Sequence, residues 1–308
     1  MDSPAESESA GCDTLGCPRT MPELPEVETV VRGLRAALPG RTITALRLGK
    51  TDFIEHVERL ESALPGARIE EVRRFGKFIA LRLAGGPAGN GTGRPQQWLL
   101  VHLGMTGRLT VCRPDVPDWP HTHVWLALDD ARELRYADPR RFGQMRMVDE
   151  AGFPAFLSRL GGEPLEVPFE DFSAALERRV MIKALLLDQS VFRGLGNIYT
   201  DESLWRARIH PQRKAAQLSG RERAALYRAM RKILATAIQM GGSSISDYVD
   251  SDGNPGFFQL RHNAYGREGR PCRRCGAKIR RIIVAGRSSY FCPRCQRAPR
   301  GRRAARRA

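Results

Sequence analysis

The chain has 308 residues, of which 42% are hydrophobic, and this length is sufficient for two domains with separate cores. No run of about 18 apolar residues is present, which excludes a membrane-spanning helix, and the first 20 residues lack the apolar core of a secretory signal. The net charge of +16 is concentrated in residues 270–308, which contain fourteen Lys or Arg and no acid; this is typical of both a nucleic-acid-binding surface and a solubilising tail.

The first folded element is predicted to be a helix. Residues 1–21 are acidic and poor in large apolar side chains, so we expect a disordered or untranslated extension there. From Glu26 to Leu38, apolar residues recur at helical spacing. Pro25 suits the first helical position, and the pair Pro39-Gly40 predicts the end of the helix.

Residues 42–147 are predicted to form short strands with Gly- and Pro-rich connections. The segment Ala84–Gln97 is typical of a flexible insertion. Many short strands without alternating helices favour an antiparallel sandwich or barrel. The predicted strands are Thr42–Leu48, Ile69–Val72, Phe78–Leu83, Trp98–Val101, Val124–Leu128 and Met145–Val148.

Residues 168–240 are predicted to be helical, and a loop rich in Gly and Ser follows from Gly241 to Gly256. The fold class predicted for the chain is therefore α+β, with a helix and an antiparallel β-domain, a helical domain and a C-terminal cysteine module. We place the domain boundaries at 22–150, 151–262 and 263–296, with a basic tail at 297–308.

The cysteine module predicts one structural Zn²⁺ site. Two CxxC pairs lie sixteen residues apart, a spacing typical of four-cysteine zinc sites and less so of redox pairs. Between the pairs, Lys278–Ala285 and Ser288–Phe291 read as two strands of a hairpin that turns at Gly286-Arg287. The predicted ligands are Cys272, Cys275, Cys292 and Cys295.

Several motifs together identify a family. They are MPELPEVET at 21–29, VHLGMTG at 101–107, DPRRFG at 138–143, GLGNIY at 194–199 and SDGNPG at 251–256, followed by the zinc module. In this order they resemble formamidopyrimidine-DNA glycosylases over about residues 21–296. The resemblance implies a β-sandwich domain joined to a helix-two-turn-helix domain that carries a β-hairpin zinc finger, with damaged double-stranded DNA in the cleft between them.

The resemblance also implies a reaction and its residues. The enzyme would excise oxidised purines and then cleave the abasic strand as a lyase. Pro22 would be the nucleophile, since a terminal proline offers a secondary amine. Glu23 matches the acid that protonates the opening sugar or the departing base, Lys77 a lysine of damage recognition and β-elimination, and Arg287 an arginine that grips phosphate during δ-elimination.

Other positions correspond to DNA contacts. His121, Arg140, Arg178 and Asn197 match phosphate-binding positions, and Met105 and Phe142, with Arg140, match the wedge that fills the space left by an everted nucleotide. Asn197 follows a Gly-x-Gly turn, where backbone amides of a helix start could meet a phosphate. We expect a monomer in the bacterial cytoplasm, associated with the nucleoid and not with a membrane.

Two further interpretations stay open at this level. A relative with the endonuclease VIII-like preference for oxidised pyrimidines would share most motifs, although that branch usually opens differently. A non-catalytic damage-binding protein would result if residues 1–21 stayed attached, because Pro22 would then be an amide. We expect translation to start at Met21, since Met-Pro is a good context for methionine removal.

Overall fold

A computed structural model describes residues 21–84, 96–244, 250–251 and 253–298. The predicted extension before Met21, most of the predicted flexible insertion and most of the basic tail lie outside the described residues. The same holds for residues 245–249 and Asp252 of the loop rich in Gly and Ser.

Helix α1 (Leu24–Ala37) opens the fold and begins two residues earlier than predicted. Glu23 is its N-cap, and the Glu23 backbone N–H donates to the Glu26 carboxylate (2.9 Å). This contact satisfies an amide that the helix itself leaves free, so the helix starts ahead of Pro25. The buried face of α1 packs on the β-domain core through Val27, Val30, Val31 and Leu34.

Two sheets enclose the core of the N-terminal domain, as the sandwich prediction requires. Their orders are β1-β7-β8-β6 and β2-β9-β5-β4-β3, and every pair is antiparallel except β2–β9. The strands are β1 (Ile43–Leu48), β2 (Ile54–Glu55), β3 (Arg68–Phe75), β4 (Phe78–Ala84), β5 (Gln97–His102), β6 (Arg108–Cys112), β7 (Thr122–Leu128), β8 (Glu133–Ala137) and β9 (Gln144–Asp149).

Three of these strands, β2, β6 and β8, and the helix α2 (Val57–Ala63) were not predicted. Strand β8 illustrates why. Its central Arg135 is buried, and this residue bonds Glu133 and Asp118 and so lies where an apolar side chain would be expected. The sequence of β8 therefore lacks the apolar pattern from which a buried strand is predicted.

Helices follow the sandwich, and four of the five lie within the predicted range 168–240. The helical domain contains α3 (Phe153–Leu157), α4 (Phe169–Ala175), α5 (Ile182–Leu187), α6 (Asn197–Ala207) and α7 (Gly220–Gln239), with 3-10 turns at Ala215–Gln217 and Phe258–Arg261. Its core is separate from that of the sandwich and extends to the buried cysteines of the C-terminal module. Among the described residues, no helix has the length and hydropathy needed to cross a bilayer.

The C-terminal hairpin consists of β10 (Arg280–Val284) and β11 (Arg287–Phe291). The predicted turn at Gly286-Arg287 is wrong by one residue. The turn residues are Ala285 and Gly286, with φ of 49° and 70°, and Arg287 pairs with Val284 as the first residue of β11. Positive φ at both central positions is the conformation that matches the twist of a two-residue hairpin.

Candidate active site and zinc centre

A cavity of about 680 Å³ lies between the two domains. It is bordered by the turn between β3 and β4, by α5, by the turn before α6 and by the tip of the C-terminal hairpin. Five of the predicted site residues line it, although they come from distant parts of the chain. They are Glu23, Lys77, Met105, Asn197 and Arg287.

The carboxyl group of Glu23 sits at the N-terminus of α6. It accepts hydrogen bonds from the backbone N–H groups of Ile198 (2.9 Å) and Tyr199 (3.3 Å), and only 2% of the residue is exposed. Burial raises the pKa of Glu23, and this outweighs the opposing effects of Lys77 and of the α6 amides. Glu23 can therefore hold a proton at a pH where an exposed glutamate would be ionised.

Gly196 makes this close approach possible. A Cβ at residue 196 would lie 2.3 Å from Glu23 Cδ, so any side chain there would displace the carboxyl group. The backbone amides at this turn were predicted to meet a phosphate, but those of Ile198 and Tyr199 bind Glu23 instead. The phosphate prediction then applies to Asn197 alone, which lines the cavity.

Glu26, predicted only as part of the helix start, forms a second buried acidic group. It accepts hydrogen bonds from the backbone N–H of Ser243 (2.7 Å) and from the hydroxyl of Tyr199. Burial, followed by the charge of Glu23, raises the pKa of Glu26 to about 7. This network ties the first turn of α1 to α6 and to the start of the loop rich in Gly and Ser.

Lys77 lies in the turn between β3 and β4, beside the cavity. Burial lowers the pKa of Lys77, while the charges of Glu23 and Glu26 act in the opposite direction. This turn packs closely against the helical domain: a Cβ at Gly76 would lie only 3.2 Å from the Gly194 nitrogen. His102, also on the cavity wall, stays neutral at physiological pH because burial lowers its pKa to about 4.

Pro22 is buried directly before Glu23. Its nitrogen is joined to Met21 by a peptide bond, and Met21 itself lines the cavity. An amide nitrogen is not a nucleophile because its lone pair is delocalised into the carbonyl. A secondary amine at this point of the cavity therefore requires a chain that begins at Pro22.

The predicted wedge residues lie on two loops of the β-domain that Asp138 holds together. The carboxylate of Asp138, fully buried, accepts hydrogen bonds from the Thr106 hydroxyl (2.5 Å) and the Gly143 amide (2.9 Å). The Arg140 guanidinium lies 4.4 Å from the ring centroid of Phe142, and this ring is 54% exposed. A large apolar ring held in solvent on a fixed loop is suited to insertion between bases.

The two remaining predicted DNA contacts, His121 and Arg178, are exposed and do not line the cavity. His121 precedes β7 with a φ of 65°, and its carbonyl accepts the Asp138 amide (3.0 Å). Arg178 follows α4, and its carbonyl accepts the Ala216 amide (3.3 Å). Both side chains are thus exposed to solvent outside the cavity.

The four predicted zinc ligands converge. The sulfur atoms of Cys272, Cys275, Cys292 and Cys295 all lie within 4.8 Å of one another. Four thiolates at this separation match tetrahedral Zn²⁺ and leave no coordination position for a catalytic water. The site is therefore a structural zinc centre at the base of the hairpin.

Three family models cover most of the chain. They describe the formamidopyrimidine-DNA glycosylase N-terminal domain at residues 21–145, the formamidopyrimidine-DNA glycosylase H2TH domain at residues 160–249 and the zinc finger found in FPG and IleRS at residues 269–298. The chain belongs to the formamidopyrimidine-DNA glycosylase family.

Curated members of this family match over nearly their whole length. Formamidopyrimidine-DNA glycosylase of Solibacter usitatus is 45% identical over 280 residues, which span 90% of this chain and 100% of that protein. The Heliobacterium modesticaldum enzyme is 46% identical over 287 residues, with the same coverage. The predicted family and its α+β fold are thereby confirmed.

Solved structures of the family agree with the fold. A Lactococcus lactis FPG mutant in complex with Fapy-dG containing DNA has a TM-score of 0.81 and 35% identity, and the match covers 90% of this chain and 100% of that one. The Thermus thermophilus protein has a TM-score of 0.76 and 42% identity, with 89% and 98% coverage. Gly196 and His102 were not predicted as site residues, because their roles depend on contacts that no local pattern encodes.

Proposed function

We propose that the protein is a base-excision-repair DNA glycosylase and abasic-site lyase acting on oxidised purines, namely 8-oxoguanine and formamidopyrimidines, in duplex DNA. The observation that carries the proposal is the buried Glu23 carboxyl group on the N-terminus of α6. It faces the interdomain cavity directly after Pro22, with Lys77 and Arg287 on the same cavity walls. The cavity is thus surrounded by a proton source, by a nitrogen that is a secondary amine once the chain begins at Pro22, and by two cationic side chains.

The first chemical step is substitution at C1′ of the damaged nucleotide. The lone pair of the Pro22 nitrogen forms a bond to C1′ while the bond from C1′ to the base breaks, and the electron pair of that bond stays with the base, which takes up the proton of Glu23, whose pKa is raised by burial. The nitrogen then loses its proton to the Glu23 carboxylate, and its electron pair forms the iminium double bond as the C1′–O4′ bond breaks. Glu23 passes this proton on to O4′.

The iminium then drives two eliminations. Loss of a C2′ proton expels the 3′ phosphate, and loss of the C4′ proton expels the 5′ phosphate with the electron pair of the C5′–O bond. Lys77 is assigned to damage recognition and to the first elimination, because it lines the cavity and burial lowers its pKa below that of an exposed lysine, which favours proton transfer. Arg287, exposed at the cavity, is assigned to the phosphate that leaves second.

DNA is proposed to lie across both domains, with Met105, Arg140 and Phe142 in the space left by the everted nucleotide. His121, Arg178 and Asn197 are proposed to contact phosphates together with Arg140. We place the working protein, with the domain boundaries given above, as a monomer in the bacterial cytoplasm at the nucleoid.

Two alternatives lead to different results. A preference for oxidised pyrimidines has less support, because the curated relatives described above carry the name formamidopyrimidine-DNA glycosylase. A non-catalytic damage-binding role applies to a chain in which Pro22 stays acylated. The second alternative is decided by assays on defined chain starts, and the first by comparing the excision of oxidised purines with that of oxidised pyrimidines.

The decisive experiment compares protein beginning at Pro22 with a full 308-residue form that cannot be trimmed. Protein beginning at Pro22 should excise 8-oxoguanine opposite cytosine, cleave the abasic strand by β,δ-elimination and become covalently attached to DNA on borohydride reduction. The untrimmed form should bind lesion DNA and fail all three assays, because its residue 22 nitrogen is an amide.

Lys77→Met in the protein beginning at Pro22 supplies the control for the nucleophile. It should still be trapped by borohydride, since the iminium forms on Pro22. Equal trapping of the untrimmed and trimmed proteins would exclude Pro22 as the nucleophile and make Lys77 the first candidate to replace it.

A further inference from the structure

Lys183 carries a buried charge that the reaction described above does not use. It lies in α5 with 0% exposure, and its Nζ donates to Asp201 Oδ1 (2.7 Å) and to the carbonyl of Ser288 (2.9 Å). Asp201, in α6 and 1% exposed, accepts the backbone N–H of Tyr290 through Oδ2 (2.9 Å). One ion pair from two helices therefore binds two backbone groups of β11.

These two groups lie on the free edge of the hairpin. Successive residues of a strand point their backbone groups to opposite sides, so Ser288 and Tyr290 share one side. Strand β10 pairs with the other side, and the ion pair occupies the side that the hairpin alone would leave unsatisfied. The ion pair bonds to backbone groups of the strand, and it therefore fixes the position of β11 independently of the side chains of that strand.

The base of the hairpin has its own attachment. Gln296, fully buried, donates from Nε2 to the Ile209 carbonyl (2.8 Å) and accepts the Cys292 amide (2.8 Å), next to the zinc ligands. From Cys292 to Arg287 the strand spans about 17 Å at about 3.4 Å per residue. A tilt of about 5° about the base would therefore move Arg287 by about 1.5 Å.

Arg287 is the residue next to Ser288, and it is exposed at the cavity. We propose that Lys183 and Asp201 are positioning residues that hold the start of β11, and thereby Arg287, at the place where the second phosphate leaves. This inference rests on the proposed function of Arg287. In that step the C4′–H electron pair ends in a C4′–C5′ double bond, and the phosphate departs with the C5′–O pair while Arg287 binds its charge.

A direct contact between Lys183 and the damaged base does not fit the geometry. The ammonium group is fully buried, and two of its three protons go to Asp201 and Ser288. The neighbouring Ala184 lines the cavity, whereas Lys183 does not. The influence of Lys183 on the reaction therefore passes through the hairpin.

The test uses zinc-loaded, active protein and a preformed abasic site in duplex DNA. Lys183→Met should leave borohydride trapping within about twofold of wild type, because Pro22 and Glu23 are untouched. The ratio of β,δ-product to β-product should fall about tenfold or more, as a misplacement of about 1 Å can cost a hundredfold in rate. In an Arg287→Ala background, Lys183→Met should cause no further fall.

Lys232→Met is the matched control, since it removes an exposed lysine of α7 and should leave the product ratio unchanged. The double variant Lys183→Met with Asp201→Asn removes both charges, so no lone buried carboxylate remains to destabilise the fold. It should bind one zinc and show the same altered ratio as Lys183→Met.

The outcomes separate this inference from the proposed function. A normal ratio in Arg287→Ala overturns both the role of Arg287 and the positioning role. A normal ratio in Lys183→Met, with an altered one in Arg287→Ala, overturns the positioning role alone. If trapping by the double variant falls as far as its second elimination, the ion pair supports the whole fold, and the positioning role is equally overturned.

Discussion

Replacing Gly196 by alanine tests whether the position of Glu23 controls base excision. A Cβ at residue 196 would lie 2.3 Å from Glu23 Cδ, whereas carbon atoms in contact are normally about 3.5–4.0 Å apart. The carboxyl group must therefore move by about 1 Å or more, away from the amides of Ile198 and Tyr199. Gly196 has a φ of −134°, which alanine adopts without strain, so the contact alone causes the effect.

The magnitude follows from the two amides and from the displacement. A buried donor left without an acceptor costs about 1–3 kcal/mol, so the loss of both hydrogen bonds should lower the free energy of unfolding by about 2–6 kcal/mol. A displacement of about 1 Å at a catalytic group can lower the rate about a hundredfold. Urea denaturation and single-turnover excision of 8-oxoguanine opposite cytosine measure the two quantities.

Gly220→Ala provides the control, because Gly220 begins α7 and a Cβ there would meet nothing within 4 Å. Its excision rate should be unchanged, and its stability should be equal or higher by up to about 1 kcal/mol. Wild-type excision by Gly196→Ala would refute the reasoning, since it would show that Glu23 need not sit on the α6 amides.

Three further variants test other parts of the site. Glu23→Gln should lose base excision to a greater extent than borohydride trapping on a preformed abasic site, because the proton is needed before the base has left; equal losses in both assays would argue against an acid role. Cys292→Ser should lose zinc and DNA affinity together, and wild-type protein purified without bound metal would disprove the structural zinc centre. Burial lowers the pKa of His262 from 6.5 to about 4, so the folded state binds this proton less readily than the unfolded chain. Stability should therefore be lost as the pH falls from about 6.5 to about 4, by up to about 3 kcal/mol, and the loss should be smaller in His262→Gln; identical pH dependence of the two unfolding free energies would contradict this.

The features that the sequence predicted are those with local causes. The apolar spacing of α1, the CxxC pairs and the Gly-x-Gly turn each act within a few residues, and the structure places them as expected. Strand β8 escaped prediction because the partners of Arg135 include Asp118, seventeen residues away. The hairpin turn was predicted one residue too late. The positive φ of Ala285 could not be anticipated, because an alanine gives no sequence signal for that conformation.

The site itself depends on pairings that no local pattern contains. Glu23 meets Ile198 across 175 positions, and Glu26 meets Ser243 across 217. The sequence could identify Glu23 only through the resemblance of its motif, since a glutamate before a helix is otherwise a helix cap. Lys183 carried no signal at all, because a lone lysine among apolar residues of a short helix does not show that it is buried.

The span of the site along the chain has a consequence for synthesis. Glu23 is among the first described residues made, whereas Arg287 and Cys292 are among the last. At about 5–20 residues per second, roughly 15–50 s separate the two ends of the cavity during translation. Throughout that interval the acid has no completed cavity around it and the zinc ligands are incomplete. The cavity can therefore be completed only after the C-terminal hairpin has been made.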